Sequence, residues 1–232
     1  MDLNTLFDKI YIITYVYNID QRKLIANELN RIGINNYEFV YSYDNSLLKL
    51  DDNINIDIKQ ISISFTHYDI IKKSYELGLN NILLFEDDVA FLKNVEEIHN
   101  IITHNESLKY NINYYDYQFY PTDRDDIIQV FLTSAYSLNK QGMIYFIKNF
   151  ENCPFLIDGY MILFTDDYHT IPNNTITYEN GMGKFTLQET RNTSVNIANK
   201  RICIQHNKLD IYNDVFNYCD INEYNIEYNK NI

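Results

Sequence analysis

Apolar residues along the chain fall into short unbroken runs and longer periodic stretches that alternate with one another. Lys9–Thr14 (KIYIIT) is a β-branched and aromatic run after its first residue, the pattern of a buried strand. Asp20–Ile32 follows with Leu24, Ile25, Leu29 and Ile32 on one stripe and Gly33 placed to stop it, which predicts a helix. Glu38–Tyr41 reads as a second strand, and the acidic stretch Asp44–Lys59, which has no helical period, as a loop. The clearest helix is Ile61–Leu77, where Ile61, Phe65, Tyr68, Ile71 and Tyr75 recur at spacings of four, three, three and four before Gly78. Asn81–Phe85 (NILLF) is apolar without alternation, as a strand covered on both faces should be. Asn94 with Glu97 three residues later is an Asx form of the capping box and opens a helix to about His104.

The second half is less regular. Ile112–Phe119 and Ile128–Leu132 predict strands, and Lys140–Phe150 a helix with its exit at Pro154. Ile157–Phe164 is apolar, Thr175–Tyr178 and Ile202–Gln205 suggest short strands, and the tail after Asp210 is polar and tyrosine-rich. With no repeat and no Gly/Pro/Ser linker, residues 1–232 are expected to form a single domain. Strand–helix alternation over the first 90 residues predicts an α/β fold with a mainly parallel sheet flanked by helices.

Composition narrows the chemistry. A net charge of −13 argues against a nucleic-acid binder, because grip on a phosphate backbone depends on clustered Lys and Arg. An acidic protein can still take a nucleoside diphosphate when a divalent cation stands between the two negative partners. Met1–Lys9 contains no basic segment followed by an apolar core, and no run approaches the roughly 18 apolar residues that span a bilayer. A cytoplasmic protein without a transmembrane segment is therefore expected. Cys153, Cys203 and Cys219 are odd in number and lack CxxC spacing, so they read as reduced thiols.

The sharpest local feature is Leu83-Leu84-Phe85-Glu86-Asp87-Asp88, three acids directly after a buried strand. Ligands of open α/β sheets bind beyond the carboxyl ends of the strands, and hard divalent cations take carboxylate oxygens there. In an extended exit Glu86 and Asp88 point one way and Asp87 the other, so Glu86 and Asp88 are the candidate ligand pair for Mn²⁺ or Mg²⁺. A solvated acidic turn is the plainer alternative. Asp123-Arg124-Asp125-Asp126 and Asp166-Asp167 are rival acidic sites, neither preceded by so clear a strand. His206, after the strand Ile202–Gln205, is the better metal-ligand candidate of the two histidines, while His67 within the long helix reads more simply as a hydrogen-bonded or exposed side chain. P-loop, GxGxxG and nucleophile-elbow motifs are missing from the sequence, which favours phosphate recognition through a metal.

Several segments together resemble glycosyltransferase family 25, the lipooligosaccharide and procollagen galactosyltransferase group. Ile10–Thr14 with Asn18, Asp20 and Arg22 is similar to that family's opening strand and its Asn-Leu-Asp…Arg segment. Gln60–His67 (QISISFTH) is similar to its Glu-Ile-Gly-Cys-x-Leu-Ser-His helix start, and Leu83–Val89 (LLFEDDV) to its Ile-Leu-Glu-Asp-Asp-Val. Ala135–Gly142 resembles its Gly-Tyr-Leu-Ile-Ser-x-x-Gly, and Phe155–Asp158 its Pro-Val-Asp. The order holds over about residues 8–160, and only the EDD segment is specific. Gln60, Ser62, Ile63 and Ala135 depart from the family's Glu, Gly, Cys and Gly.

The resemblance implies a GT-A-type, Rossmann-like fold with a nucleotide-sugar half at about 1–92 and an acceptor half at about 93–232. It implies transfer of a hexose, with inversion, from a nucleotide-sugar (UDP-sugar) donor to a glycan or glycoprotein hydroxyl, dependent on Mn²⁺ or Mg²⁺. Glu86 and Asp88, and by looser analogy His206, would hold the metal, and Asp158 would act as the base. Thr14, Tyr15, Arg22, His67 and Asp87 fall in the donor-binding segments, Tyr15 where a uracil ring would stack and Arg22 where it could meet phosphate or pair with Asp20 or Glu28. The alternative is a catalytically inactive relative that binds glycan or protein.

Overall fold

In the computed structural model the described residues are 2–43, 58–116, 118–121, 128–131, 133–152, 157, 177–179, 182–184, 195–197 and 202–205. In chain order they form α1 (Leu3–Leu6), β1 (Lys9–Thr14), α2 (Ile19–Arg31), β2 (Glu38–Tyr41), α3 (Ile58–Glu76), β3 (Asn81–Glu86), β4 (Val89–Phe91) and α4 (Val95–Ser107). There follow β5 (Ile112–Tyr114), β6 (Gln118–Pro121), β7 (Ile128–Phe131), β8 (Ala135–Asn139), α5 (Lys140–Asn152), β9 (Thr177–Glu179), β10 (Met182–Lys184), β11 (Val195–Ile197) and β12 (Cys203–Gln205).

The main sheet runs β11-β5-β8-β3-β1-β2. β1 is parallel to β2 and β3, β5 is parallel to β11, and β8 is inserted antiparallel between β3 and β5. The fold is thus α/β with a mainly parallel sheet flanked by helices, as the strand–helix alternation predicts. Successive residues of β8 show which helix lies on which face, because neighbouring side chains of a strand point to opposite sides. Tyr136 bonds His67 on α3, and Ser137 bonds Glu106 on α4. α5 packs beside α3, where Phe150 meets the rings of Phe65 and Tyr68. The centre of the sheet is buried from both sides: Ile82, Leu83, Leu84 and Phe85 have no exposed surface.

The buried face of α3 corrects the expected stripe. Phe65 and Tyr75 are exposed at 37% and 38%, whereas Ser62, Ser64, Thr66, His67 and Ser74 are buried with Ile70 and Ile71. Small hydroxyl residues let the helix lie close to its neighbours and satisfy their own hydroxyls on the preceding turn. Ser64 Oγ donates to the Gln60 carbonyl and Thr66 Oγ1 to that of Ser62, at 2.7 and 2.8 Å. A hydropathy pattern reads such a face as polar.

Ile112–Phe119 is not one strand. β5 ends at Tyr114, and β6 pairs with β7 in a separate hairpin. Asp116 lies at the break and is fully buried. β8 and β4 were not expected as strands; β8 carries Ser137 inward to Glu106, so its apolar run is interrupted by a buried hydroxyl. The rival acids at 123–126 and 166–167, Pro154, Cys153, Cys219 and the Asp44–Asp57 part of the predicted loop lie outside the described residues. No helix of the described residues is long and apolar enough to cross a membrane.

Candidate active site

Because β1, β2, β3 and β5 run the same way, their carboxyl ends share one edge of the sheet, and antiparallel β8 begins there. β3 delivers Glu86 to this edge, Asp87 and Asp88 make the turn, and β4 leaves to pair with β12. A cavity of about 790 Å³ opens over the edge, and Glu86, Asp87 and Asp88 all line it, with Thr14, Tyr15 and Asn18 from the end of β1 and the entry to α2.

The three acids are held differently. Glu86 is fixed along its backbone by donating its N–H to the Ser134 carbonyl at 2.9 Å. Its Oε1 accepts from Thr133 Oγ1 at 3.0 Å and stands 3.6 Å from His67 Nε2. Asp87 turns the other way: its Oδ2 accepts from Thr14 Oγ1 at 2.5 Å and from Asn18 Nδ2 at 3.2 Å. Burial pushes the Asp87 carboxyl above the ordinary aspartate value, opposed by the hydrogen bonds of Thr14 and Asn18 and by the charge of Arg22. Asp88 is half-buried on the same wall.

His67 is fully buried, with its Nδ1 and the Tyr136 hydroxyl in a hydrogen bond of 2.7 Å. Arg22 pairs with neither Asp20 nor Glu28 in the structure; those acids bind Lys23 and Arg31. Its Nη1 donates to the carbonyls of Tyr15 and Val16 at 2.7 and 3.0 Å, and the guanidinium lies 5.4 Å from the centre of the Tyr41 ring. Arg22 thereby shapes the loop that carries Tyr15. The Tyr15 hydroxyl donates to the Lys59 carbonyl, and its ring stacks on Tyr17 with centroids 5.2 Å apart. Tyr17, which the sequence did not single out, lines the cavity and exposes 61% of its surface.

The structure therefore gathers Thr14, Tyr15, Glu86, Asp87 and Asp88 around one cavity, with His67 and Arg22 behind its wall. Asp158 and His206 lie outside the described residues, although the residue before each does not. Ile157 is buried and donates its N–H to Ser64 Oγ at 2.8 Å. Gln205 ends β12 opposite Val89, the residue after Asp88. Among the described residues no group of three or more His, Cys, Asp or Glu is gathered as a ready-made metal cage. Thr133 and Asp116 were not legible as site-edge residues. The first is an isolated hydroxyl between two strands, and the second is hidden in a run that reads as continuous strand. Asp116 accepts from Ser134 Oγ at 2.5 Å on the same sheet edge.

No family model matches the sequence, and no curated protein matches it. Solved structures do. One is a glycosyltransferase involved in the glycosylation of the major capsid of PBCV-1, 15% identical over 63% of this chain and 69% of that one, with a TM-score of 0.34. Another is A197 from STIV, 10% identical over 78% of this chain and 94% of that one, with a TM-score of 0.31. A third, from Bacillus anthracis and described as a glucose-1-phosphate thymidylyltransferase in complex with sucrose, is 10% identical over 64% and 60% of the two chains, with a TM-score of 0.32. Likeness at this level speaks to neither substrate nor chemistry.

Proposed function

We propose that the chain is a metal-dependent glycosyltransferase of the family 25 type, which moves a hexose from a UDP-sugar to a glycan or protein hydroxyl. The observation that carries this reading is the acidic turn Glu86-Asp87-Asp88 on the wall of a cavity at the carboxyl edge of the sheet. Anionic diphosphate would be repelled from such a wall in a chain of net charge −13 unless a cation stood between them. The donor set suits a hard cation: carboxylate oxygens from Glu86 and Asp88, with substrate phosphates completing a shell that needs only one or two protein carboxylates. Mn²⁺ or Mg²⁺ held there would stabilise the charge that develops on the departing diphosphate.

The protein's own groups supply the rest of the proposed mechanism. Tyr15 and Tyr17 offer a stacked aromatic lip for the nucleobase, kept in place by Arg22 through the loop carbonyls. Asp87, tied to Thr14 and Asn18, holds the turn, with the ribose as its nearest use in the donor. The acceptor oxygen bonds to the anomeric carbon as the bond from that carbon to the diphosphate oxygen breaks. The electron pair leaves with the diphosphate, the acceptor's proton passes to Asp158, and the single in-line displacement inverts the centre. His206 is proposed as an additional ligand because β12 brings the chain to Gln205 beside Val89. We read residues 1–232 as one catalytic domain because the sequence has no repeat and no Gly/Pro/Ser linker.

The test is a thermal-shift screen of UDP-, GDP- and CMP-sugars with and without Mn²⁺, followed by turnover of the donor that binds. A donor that binds the native state raises the melting temperature, and the expected shift appears for a UDP-sugar only when Mn²⁺ is present. Asp88→Ala should remain folded and lose both the shift and turnover. A folded Asp88→Ala protein with unchanged turnover overturns the metal assignment. Binding of glycan without metal and without donor turnover selects the inactive, glycan-binding alternative.

A further inference from the structure

Behind the acidic turn lies a chain of side chains that reaches Glu86 from the far side of the cavity wall. Tyr136 and Leu84 are register partners on β8 and β3, and Glu86 is two residues beyond Leu84 on the same face of the sheet. α3 crosses that face and places His67 between the two. The Tyr136 hydroxyl is 2.7 Å from His67 Nδ1, and His67 Nε2 is 3.6 Å from Glu86 Oε1. Tyr136 and His67 are both fully buried, and their rings lie stacked with centroids 5.7 Å apart.

We propose that Tyr136 and His67 are positioning residues that bias the orientation of the Glu86 carboxylate: Tyr136 fixes the tautomer of His67, and the buried imidazole edge faces the oxygen that Thr133 anchors. A neutral imidazole has one N–H and one acceptor nitrogen, and the partner of one nitrogen decides which is which. A lone pair on Nε2 facing a carboxylate oxygen in a buried site would be repulsive. Nε2 therefore carries the hydrogen toward Glu86, and Nδ1 accepts from the Tyr136 O–H. Thr133 Oγ1 donates a hydrogen bond to the same oxygen at 3.0 Å, so Oε1 is bonded on one side and faces the imidazole edge, 3.6 Å away, on the other. The Thr133 hydrogen bond and the facing imidazole edge together favour one orientation of the carboxylate. Neither Tyr136 nor His67 lines the cavity, so both act through Glu86 rather than on a ligand.

The consequence for cation binding rests on the proposed function; the tautomer does not. Outer partners that orient a ligating group typically change metal affinity 10–100-fold when removed. The experiment uses the full chain labelled with ¹⁵N, with His67 resonances assigned by comparison with His67→Gln, and titration with Mn²⁺ alone followed by the EPR signal of the free ion. The wild type should show His67 as a single tautomer with hydrogen on Nε2. Tyr136→Phe, which keeps the ring, should shift the Nδ1 resonance and weaken Mn²⁺ binding about 10-fold or more. His67→Gln, which retains an amide donor, should weaken it less than His67→Leu, with all variants checked by circular dichroism. Hydrogen on Nδ1 of the wild-type ring, a doubly protonated ring, or wild-type Mn²⁺ affinity in Tyr136→Phe each overturns the proposal. A wild-type protein that binds no Mn²⁺ strikes the metal reading instead, and the tautomer still decides the relay.

Discussion

Thr14 at the end of β1 donates its hydroxyl to Asp87 in the turn after β3, at 2.5 Å, and both side chains are buried. β1 and β3 are adjacent parallel strands, with Ile13 paired to Glu86, so this bond closes the edge of the sheet just where the chain turns. Thr14→Val keeps the shape and removes the donor, leaving a buried carboxylate with Asn18 as its remaining side-chain donor among the contacts described. The expected cost is about 1–3 kcal/mol, the penalty for a buried acceptor deprived of a partner. Thr14→Ser should recover most of it. Urea unfolding of the three proteins checks this, and a Thr14→Val midpoint equal to wild type would show that the hydroxyl contributes nothing.

Gly142 stands in the first turn of α5, and a Cβ built there would come within 2.2 Å of the Asn111 carbonyl oxygen. That oxygen cannot easily retreat, because it already accepts from the Asn139 N–H at 3.0 Å. Asn139 also caps the helix, its Oδ1 accepting from the Gly142 N–H at 2.9 Å. Gly142→Ala should therefore destabilise the protein by about 1–3 kcal/mol or more, as overpacking against backbone does, although alanine is the better helix former. A calorimetric melting temperature at or above that of wild type would refute the close approach.

The sequence makes β1, β2 and the start of α5 legible to the residue, because each strand is a charged residue followed by a β-branched and aromatic run and the helix has a clear boundary. The acidic turn was readable for the same reason: the apolar run NILLF ends where three acids begin. What hydropathy could not show is polar packing. α3 buries serines and threonines satisfied by its own carbonyls, and β8 buries a serine aimed at a glutamate. Buried polar side chains with partners look, in a sequence, like surface. His67 is the sharpest instance, since it is buried between Glu86 on the next strand and Tyr136, 69 residues along the chain.

Glu106 on α4 is the acceptor at the centre of such a cluster. Its Oε1 accepts from the Tyr115 and Ser137 hydroxyls and from Asn113 Nδ2, and its Oε2 accepts from Asn81 Nδ2 at 3.0 Å. Burial, then the charge of Glu106, pushes the Tyr115 hydroxyl well above the ordinary phenol range, so it stays a donor at any working pH. Glu106→Gln replaces one acceptor oxygen with an NH₂ group and sets donor against donor. About 1–3 kcal/mol should be lost, measured by chemical denaturation. Glu106→Gln with Asn81→Asp restores a donor–acceptor match and should regain part of that loss; a double variant no better than the single one would locate the cost elsewhere.

Tyr43 joins the end of β2 to α3 by donating its hydroxyl to Asp69, while its carbonyl accepts from Ser62 Oγ at 2.8 Å. The bond to Asp69, then burial and the charge of that carboxylate, push the phenol from 10.0 up to about 12. A folded-state value raised above the unfolded one means that the native state retains the proton over that window while the unfolded state releases it. Stability then falls with rising pH, so the contribution is whole below about pH 10 and is lost between about pH 10 and 12. Wild type should accordingly melt above Tyr43→Phe at pH 8, with the difference narrowing steadily as the pH is raised through 10 to 11. Paired thermal melts across that range, with tyrosinate absorbance followed in parallel, provide the check. Because the ring is 41% exposed, the difference at pH 8 should be modest, and a gap that stays constant to pH 11 would mean that the hydroxyl is not bonded to Asp69 in solution.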